Sequence, residues 1–250
     1  MTDLTHLGEE EHAALALLAA AGRILADTRS DVPPEFVTGL FARAVPEDLM
    51  SYDAREIAKL AARAWELFVE RKPGTARVRL SSLTAGDARL NAISVLEVLN
   101  DDMPFLLDSV MGELAERGLD IHLVVHPVFA VERDPAGRLI AFQNARPSTS
   151  GKARESFIYI HLARIDDETR RRDIADAIEA ALYDVRVGVQ DWRAMLDRVT
   201  GVVAELKDNP PPLPVGEIAE AIQFLQWLKD DNFTFLGVRN YEFSANEDSL

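Results

Sequence analysis

Residues 92–131 read AISVLEVLNDDMPFLLDSVMGELAERGLDIHLVVHPVFAV, and this stretch decides the fold. Its first segment, Ala92–Leu99, is rich in Val, Leu and Ile, which is typical of a strand. Leu106–Arg117 follows with apolar residues at helical spacing and ends at Gly118. Asp120–Val131 then predicts a second strand. Because a strand, a helix and a strand in this order form a crossover unit, we expect the two strands to run parallel in one sheet.

A short acidic turn joins the first strand to the helix. It comprises Asn100, Asp101, Asp102, Met103, Pro104 and Phe105. The carboxylate of Asp101 or Asp102 is expected to cap the helix, because it can accept hydrogen bonds from the amides of the first turn. A pair of catalytic carboxylates is the alternative interpretation of these two residues, and the helix start that follows at once favours the cap.

The run from Asp101 to Ile121 resembles the start of an ACT domain. The matching positions are acidic, proline, apolar-helix and Glu-Arg-Gly residues, namely Asp102, Pro104, Leu106, Val110, Leu114, Glu116, Arg117, Gly118 and Ile121. The resemblance implies a ferredoxin-like βαββαβ fold and places small ligands, often amino acids, at the loop Asn100–Phe105. Phe105 replaces the usual glycine. This departure matters because glycine lets a ligand carboxylate approach the backbone amides closely.

Four segments in order are similar to the N-terminal region of the large bacterial NAD-specific glutamate dehydrogenases: NDDMPFLLDSV, IHLVVHPVFAVERD, ESFIYIHLARI and DNFTFLG. This resemblance covers most of the chain from about Arg77 onward. It implies ACT-like regulatory domains here and a dehydrogenase domain far downstream. The parent would convert glutamate, water and NAD to 2-oxoglutarate, ammonia and NADH in glutamate catabolism.

The same resemblance sets the expected role and partners of this chain. It would be the non-catalytic regulatory or assembly region of the parent enzyme, with no cofactor of its own and NAD bound elsewhere in the parent. Its partners would be the rest of the enzyme and its homo-oligomer, with a small amino-acid effector as a further candidate. The alternative is a free-standing ACT-type module that senses an amino acid and acts on a separate enzyme. A long downstream continuation of the gene would favour the first interpretation.

Composition and charge exclude several other classes. The chain has 250 residues, of which 48% are hydrophobic, and a net charge of −15. This charge argues against nucleic acid and anionic membrane surfaces as partners, because both need clustered Lys and Arg. The chain has no cysteine, which excludes disulfides and thiolate metal sites. The apolar run Ala13–Gly22 is about half of the ~20 residues that cross a bilayer. The cytoplasm is therefore the expected location.

The chain divides into three predicted parts, and the fold class is α+β. Residues 1–73 form a helical subdomain with helices at Glu9–Arg29, from Pro33 onward and at Asp53–Arg71. These helices are expected to dock on the sheet, and a subunit contact is the alternative. Residues 74–208 form the ACT-like domain, and residues 209–250, after the prolines at 210–212, read as the truncated start of a following domain.

The ACT-like domain is predicted to be an antiparallel sheet covered by two helices. Ala76–Leu83 reads as an extra strand that could replace the usual last ACT strand. Glu155–Ile165 reads as a strand with Phe157, Tyr159 and His161 on one face. A long helix is predicted from Asp167 to Lys207, and a further strand from Phe233 to Phe243.

No catalytic or metal-binding constellation emerges from the sequence. The glycine-rich GxGxxG fingerprint of dinucleotide sites does not occur. His122 and His126 are four residues apart, which in one strand separates them by about 13 Å at ~3.3 Å per residue. They are therefore expected not to share a metal. We assign no catalytic residue and no metal ligand.

Overall fold

A computed structural model of the chain describes residues 4–83, 88–144, 152–233, 235 and 237–239. The helices are α1 Leu4–Thr28, α2 Pro34–Phe41, α3 Pro46–Leu49, α4 Ala54–Phe68, α5 Leu106–Glu116, α6 Glu168–Gln190, α7 Trp192–Asp208 and α8 Val215–Trp227. The strands are β1 Arg77–Ser82, β2 Ile93–Asp101, β3 Ile121–Val125, β4 Val128–Arg133, β5 Leu139–Asn144 and β6 Ala153–Ala163. The chain forms two compact units, Met1–Tyr183 and Asp184–Leu250.

The first unit is built on one antiparallel sheet of order β1-β2-β6-β4-β5, in which β3 also pairs with β6. Strands β2 and β3 are each antiparallel to β6. They are therefore parallel to each other with β6 between them, which is the split arrangement of a ferredoxin-like fold. The prediction that the crossover unit has parallel strands in one sheet is confirmed.

Strand β1 lies antiparallel beside β2, with Arg77 opposite Leu99 and Ser82 opposite Ser94. In a βαββαβ fold this position beside the first crossover strand belongs to the last strand. Here the last strand is absent from the described sheet, and a segment that precedes the unit takes its place. The predicted replacement by the extra strand is confirmed.

The N-terminal helices cover one face of the sheet. Helix α4 begins at a capping box, in which the Asp53 carboxylate accepts from the Glu56 amide and the Glu56 carboxylate accepts from the Asp53 amide. Its buried side chains join those of α1 and α2 and those of alternate strand residues in one hydrophobic core. The expected docking of these helices on the sheet is confirmed.

Aromatic rings form the centre of this contact. Phe68 of α4 lies 4.9 Å from Phe129 of β4 and 6.0 Å from Phe157 of β6, measured between ring centroids. Phe36 of α2 lies 5.0 Å from Trp65. Because each ring buries a large apolar area, this cluster joins helices and sheet into one core.

Helices α5 and α6 cover the second face. The strand residues of that face are all buried: Leu96, Val98, Ile158, Ile160 and Leu162. The apolar stripes of the two helices are buried as well: Leu106, Val110 and Leu114 in α5, and Ile174, Ile178 and Leu182 in α6. The sheet therefore has helices on both faces, and the two predicted covering helices are present.

The predicted long helix from Asp167 to Lys207 is interrupted. Helix α6 ends at Gln190 and α7 begins at Trp192, so the break falls at Asp191. The predicted strand from Phe233 to Phe243 lies mostly outside the described residues. Within the described ranges, no helix has the length and apolar character needed to cross a membrane. The three-part division at residues 73 and 208 stays a prediction.

Candidate functional site

The predicted ligand loop lies at the end of β2, with Asn100 and Asp101 as the last strand residues. Helix α5 begins after Phe105, which is the N-cap residue and makes no side-chain capping bond. The expectation that Asp101 or Asp102 caps this helix is wrong. Both carboxylates are bound by arginines of other segments, and those ion pairs compete successfully for them.

Phe105 has a left-handed backbone conformation, with φ of 66° and ψ of 6°. It is the one non-glycine residue with a positive φ in the described part of the chain. This conformation costs ~1–2 kcal/mol for a residue with a Cβ. The position at which the ACT pattern has glycine thus keeps a glycine-like backbone while carrying a phenyl ring. That ring is 45% exposed.

Asp101 connects the loop to the chain that follows α4. Its Oδ1 accepts a hydrogen bond from Arg71 Nη2 at 2.6 Å, and its Oδ2 accepts from the Gly74 amide at 2.9 Å. The side chain of Arg71 is 2% exposed. Burial alone would lower the pKa of Arg71, but the hydrogen bonds to Glu155 and Asp101 raise it. The loop is therefore joined to the segment after α4 by a buried charge.

Glu155 of β6 is the centre of this buried network. It accepts from Arg71 Nη2 at 2.7 Å, and from Arg133 Nε and Nη2, each at 2.7 Å. Arg133 also donates to the Phe68 carbonyl at the end of α4. The carboxylate is 1% exposed. Two arginines and two carboxylates thus connect four segments: the end of α4, β2, the β4–β5 hairpin and β6.

The turn of the β4–β5 hairpin requires a glycine at position 137. Gly137 has φ of +89°, and a Cβ there would lie 2.7 Å from the Arg71 carbonyl oxygen. The Gly137 carbonyl accepts from the Arg71 amide at 2.9 Å and from Arg133 Nη1 at 3.0 Å. The close approach of the two backbones brings both arginines to Glu155.

The other side of the loop is polar and partly open. Asp102 Oδ2 accepts from Arg154 Nε at 2.9 Å, and the side chains are 24% and 47% exposed. Nearby, His126 Nε2 lies 2.5 Å from Ser156 Oγ. Burial lowers the pKa of His126, and the charge of Asp102 opposes that shift. A cation, an anion, a neutral imidazole and a phenyl ring therefore lie around the start of α5.

This arrangement has the chemistry to bind an amino acid. Arg154 can pair with a carboxylate, Asp102 can pair with an ammonium group, and the Phe105 ring offers an apolar surface. The first-turn amides of α5 point toward the same region, because a helix leaves its first amides without intrahelical partners. His126 and Ser156 are within hydrogen-bond reach of each other, as a base and a hydroxyl nucleophile would be, but Ser156 is 1% exposed, and we assign no catalytic role to this pair.

A second polar cluster is buried beneath the N-terminal helices. His161 Nδ1 lies 2.7 Å from the Tyr52 hydroxyl, and its ring is 5.2 Å from the Tyr159 ring. Burial lowers the pKa of His161 to about 3, with a smaller contribution from His122. Burial also raises the pKa of Tyr52 to about 12. His161 is therefore neutral, and its bond with Tyr52 joins the turn between α3 and α4 to strand β6.

Glu97 of β2 lies in the same layer, opposite Tyr159. It is fully buried and binds Arg79 Nη2 at 2.7 Å. Burial raises the pKa of Glu97, and the bonds from Arg79 act against that shift. The carboxylate of this pair is buried, whereas the Arg79 side chain is 25% exposed.

Sequence reasoning missed both buried clusters. A signal was present: Glu97, Glu155 and His161 occupy inward positions of strands that are otherwise apolar. A buried charge must be paired, so each of these residues implied a partner. Their partners Arg79, Arg133, Arg71 and Tyr52 lie 18 to 109 residues away in the chain, and no local pattern identifies them.

The histidine pair differs from its predicted geometry. Strand β3 ends at Val125, so His126 lies beyond the strand. A register shift between Ile121 and Leu123 further interrupts the pairing around His122. The assumption of one regular strand through both histidines is therefore wrong. Across the described ranges, no group of three or more His, Asp or Glu side chains has metal-binding proximity.

Comparisons with known proteins agree with this fold. The family model described as "Glutamate dehydrogenase, ACT1 domain" matches residues 36–178, which include the whole sheet. The chain is 31% identical over 249 residues to an NAD-specific glutamate dehydrogenase of Halomonas elongata, covering 98% of this chain and 15% of that relative. It is 32% identical over 155 residues to the enzyme of the same name from Pseudomonas aeruginosa, covering 62% and 10%.

A third relative is the NAD-specific glutamate dehydrogenase of Mycobacterium tuberculosis, 27% identical over 149 residues, which are 57% of this chain and 9% of the relative. The chain thus spans 15% or less of the length of the curated relatives it matches.

Proposed function

This chain belongs to the family of the glutamate dehydrogenase ACT1 domain, and we propose that it is a non-catalytic regulatory and assembly region of a long NAD-dependent glutamate dehydrogenase. The parent would convert L-glutamate, NAD and water to 2-oxoglutarate, ammonia and NADH. The match of the family model across the whole sheet carries this proposal, together with relatives that are several times longer. A cytoplasmic location belongs to the same proposal.

NAD does not fit this part of the enzyme. In a dinucleotide fold, glycines in the turn between strand and helix let the pyrophosphate reach the helix amides. The corresponding turn here carries Asp101, Asp102 and the phenyl ring of Phe105. Two carboxylates would repel a pyrophosphate, and the ring would obstruct its approach. The residues of the loop therefore support NAD binding elsewhere in the parent.

We propose that the loop Asn100–Phe105 is the effector site of this region and that a small amino acid is the effector. Arg154 would bind its carboxylate, Asp102 its ammonium group and Phe105 its side chain. Both charged groups are partly exposed, and they are already oriented by their mutual ion pair. Binding would exchange that ion pair for contacts with a zwitterion.

A regulatory role also requires that binding favour one global state of the enzyme. Asp101 supplies a connection, because the residue next to Asp102 binds Arg71 and the Gly74 amide. A shift of the loop would act on the buried network and through it on the end of α4. The helical subdomain is thus the element that would transmit a signal to the homo-oligomer or to the rest of the enzyme.

Two measurements test the proposal. The purified 250-residue chain is expected to form no NADH from glutamate and NAD at 340 nm, whereas the full-length enzyme is active. Glutamate-dependent NADH formation by the chain alone would contradict the non-catalytic role. Sequencing the gene beyond residue 250 would distinguish a region of a long dehydrogenase from a free-standing sensing module. A stop codon directly after residue 250 would favour the free-standing module.

Effector binding is tested by titration calorimetry with a panel of the common amino acids. Arg154→Gln is expected to abolish the heat of the responding amino acid. Arg138→Gln is the matched control, because Arg138 forms a similar exposed ion pair with Asp134 away from the loop. No heat with any amino acid would leave assembly as the remaining role.

A further inference from the structure

Helix α8 presents two different faces, one apolar and one that combines acidic and aromatic residues. Its inner side chains Ile218, Ile222 and Leu225 are half-buried, and α8 packs against α7. A second stripe consists of Glu217, Glu220, Phe224 and Trp227, spaced three, four and three residues apart. At ~100° per residue this outer stripe lies about 150° around the helix from the inner side chains. The outer stripe therefore faces away from α7.

The outer stripe ends in two exposed aromatic rings. Phe224 is 57% exposed and Trp227 is 52% exposed. Their ring centroids are 6.2 Å apart and the planes are tilted by 16°, so the rings stack on each other. Aromatic residues are enriched in the cores of protein interfaces, and Trp is among the residues that contribute most of the binding energy there.

The unit that contains α8 has little core of its own. Among its described residues, the buried hydrophobic side chains are Met195 and Val203. No residue of α8 is buried. Two packed helices with so small a core gain little stability from burial, so a further surface that covered α8 would stabilise this unit.

Charge decides which partner fits. Helix α8 carries Glu217 and Glu220 on the outer stripe and no basic residue between Val215 and Trp227. The whole chain has a net charge of −15. Two copies of the stripe would place like charges opposite each other, which opposes self-pairing. A surface with an apolar socket and an edge of Arg or Lys complements the stripe, since a guanidinium can also stack on Trp227.

We propose that the outer stripe of α8 docks in an apolar groove, edged by arginine or lysine, on the part of the dehydrogenase polypeptide that lies outside these 250 residues. This inference depends on the proposed function. It is supported by the relatives, in which the matched part is 15% of the length or less. The docked stripe would hold the regulatory region on the body of the enzyme.

Photo-crosslinking in the full-length enzyme tests the contact. A benzophenone amino acid is introduced at position 224, and crosslinked peptides are identified by mass spectrometry. Crosslinks to a segment beyond residue 250 that contains Arg or Lys are expected. The charge reversal Glu217→Lys with Glu220→Lys should reduce their yield about tenfold. Val215→Ser is the control that should leave the yield unchanged, because Val215 is 82% exposed on another side of α8.

Each other result overturns the proposal. Crosslinks to α8 of a second copy would indicate self-pairing, and crosslinks within residues 1–183 would indicate packing inside this region. The absence of any crosslink would refute docking of the outer stripe in such a groove. A crosslink yield that the charge reversal does not change would refute it as well. The charge-reversed residues are exposed, so this variant is expected to fold even if changes at Phe224 or Trp227 are not tolerated.

The same preparation separates this proposal from the proposed function. An enzyme that keeps its size by mass photometry and its glutamate dehydrogenase activity but yields no crosslink refutes the α8 surface alone. A gene that ends after residue 250 refutes the proposed function and the docking proposal with it.

Discussion

Asp101 and Arg71 are 30 residues apart in the chain, and their side chains meet at 2.6 Å between Oδ1 and Nη2. The contact joins the loop before α5 to the segment after α4. Because Arg71 is buried, this ion pair is only weakly screened by solvent. The position predicted to bind an effector is thereby attached to the network centred on Glu155.

Breaking that network should strongly destabilise the protein. Glu155→Gln removes the charge that two buried arginines share and is expected to lower the free energy of unfolding by about 3 kcal/mol. Urea denaturation followed by circular dichroism measures the change. Glu168→Gln is the control: its ion pair with Arg172 is exposed, and its loss should cost under ~0.5 kcal/mol. Equal effects of the two substitutions would contradict a structural role for the buried network.

The backbone at Phe105 should favour glycine over alanine. Phe105→Gly and Phe105→Ala both remove the ring, so their difference isolates the cost of a Cβ at φ of 66°. The glycine variant is expected to be more stable by about 1 kcal/mol. Ala115→Gly, at an exposed position inside α5, should instead destabilise by ~0.5–1 kcal/mol. A more stable Phe105→Ala variant would show that the left-handed conformation is not adopted in solution.

His161 should make the protein less stable in mild acid. Its folded pKa is lowered from 6.5 to about 3, so the unfolded chain binds the proton first as the pH falls. The stability it contributes is complete above pH 6.5 and decreases toward pH 3, by about 2 kcal/mol at pH 5. His161→Gln should reduce the difference in unfolding free energy between pH 7 and pH 5 by that amount. His12→Gln, at an exposed site, should leave this part of the pH dependence intact.

A second measurement checks the same point without a substitution in the core. The ring protons of His161 should keep a constant chemical shift in NMR spectra between pH 7 and pH 5. A titration of His161 with a midpoint near 6.5 would mean that its ring is not buried in the neutral form.

Two buried tyrosines should respond oppositely to loss of their hydroxyl groups. The Tyr159 hydroxyl is buried and has no hydrogen-bond partner among the described residues, whereas the Tyr52 hydroxyl lies 2.7 Å from His161 Nδ1. Tyr159→Phe is expected to leave stability unchanged or raise it by up to ~1 kcal/mol. Tyr52→Phe should lower it by about 1–2 kcal/mol, because the imidazole then loses its partner. Thermal unfolding of both variants at pH 7 measures the contrast.

The local sequence determined the elements and the order of the central unit. Helical spacing from Leu106 to Arg117, apolar strands on either side and Gly118 predict the crossover that β2, α5 and β3 form. The sequence also predicted that an earlier segment could take the place of the last strand, and β1 does so. These features depend on periodicity and turn chemistry, which a few neighbouring residues encode.

The tertiary structure alone decided what the loop carboxylates do. From its neighbours, Asp101 had the position of a helix cap, yet Arg71 and Gly74 bind it, and Phe105 begins the helix in a left-handed conformation. Arg71 and Tyr52, which bind Glu155 and His161, likewise lie 84 and 109 residues away along the chain. Burial makes an unpaired charge or imidazole costly, so folding brings these distant partners together, and nothing in the adjacent sequence identifies them.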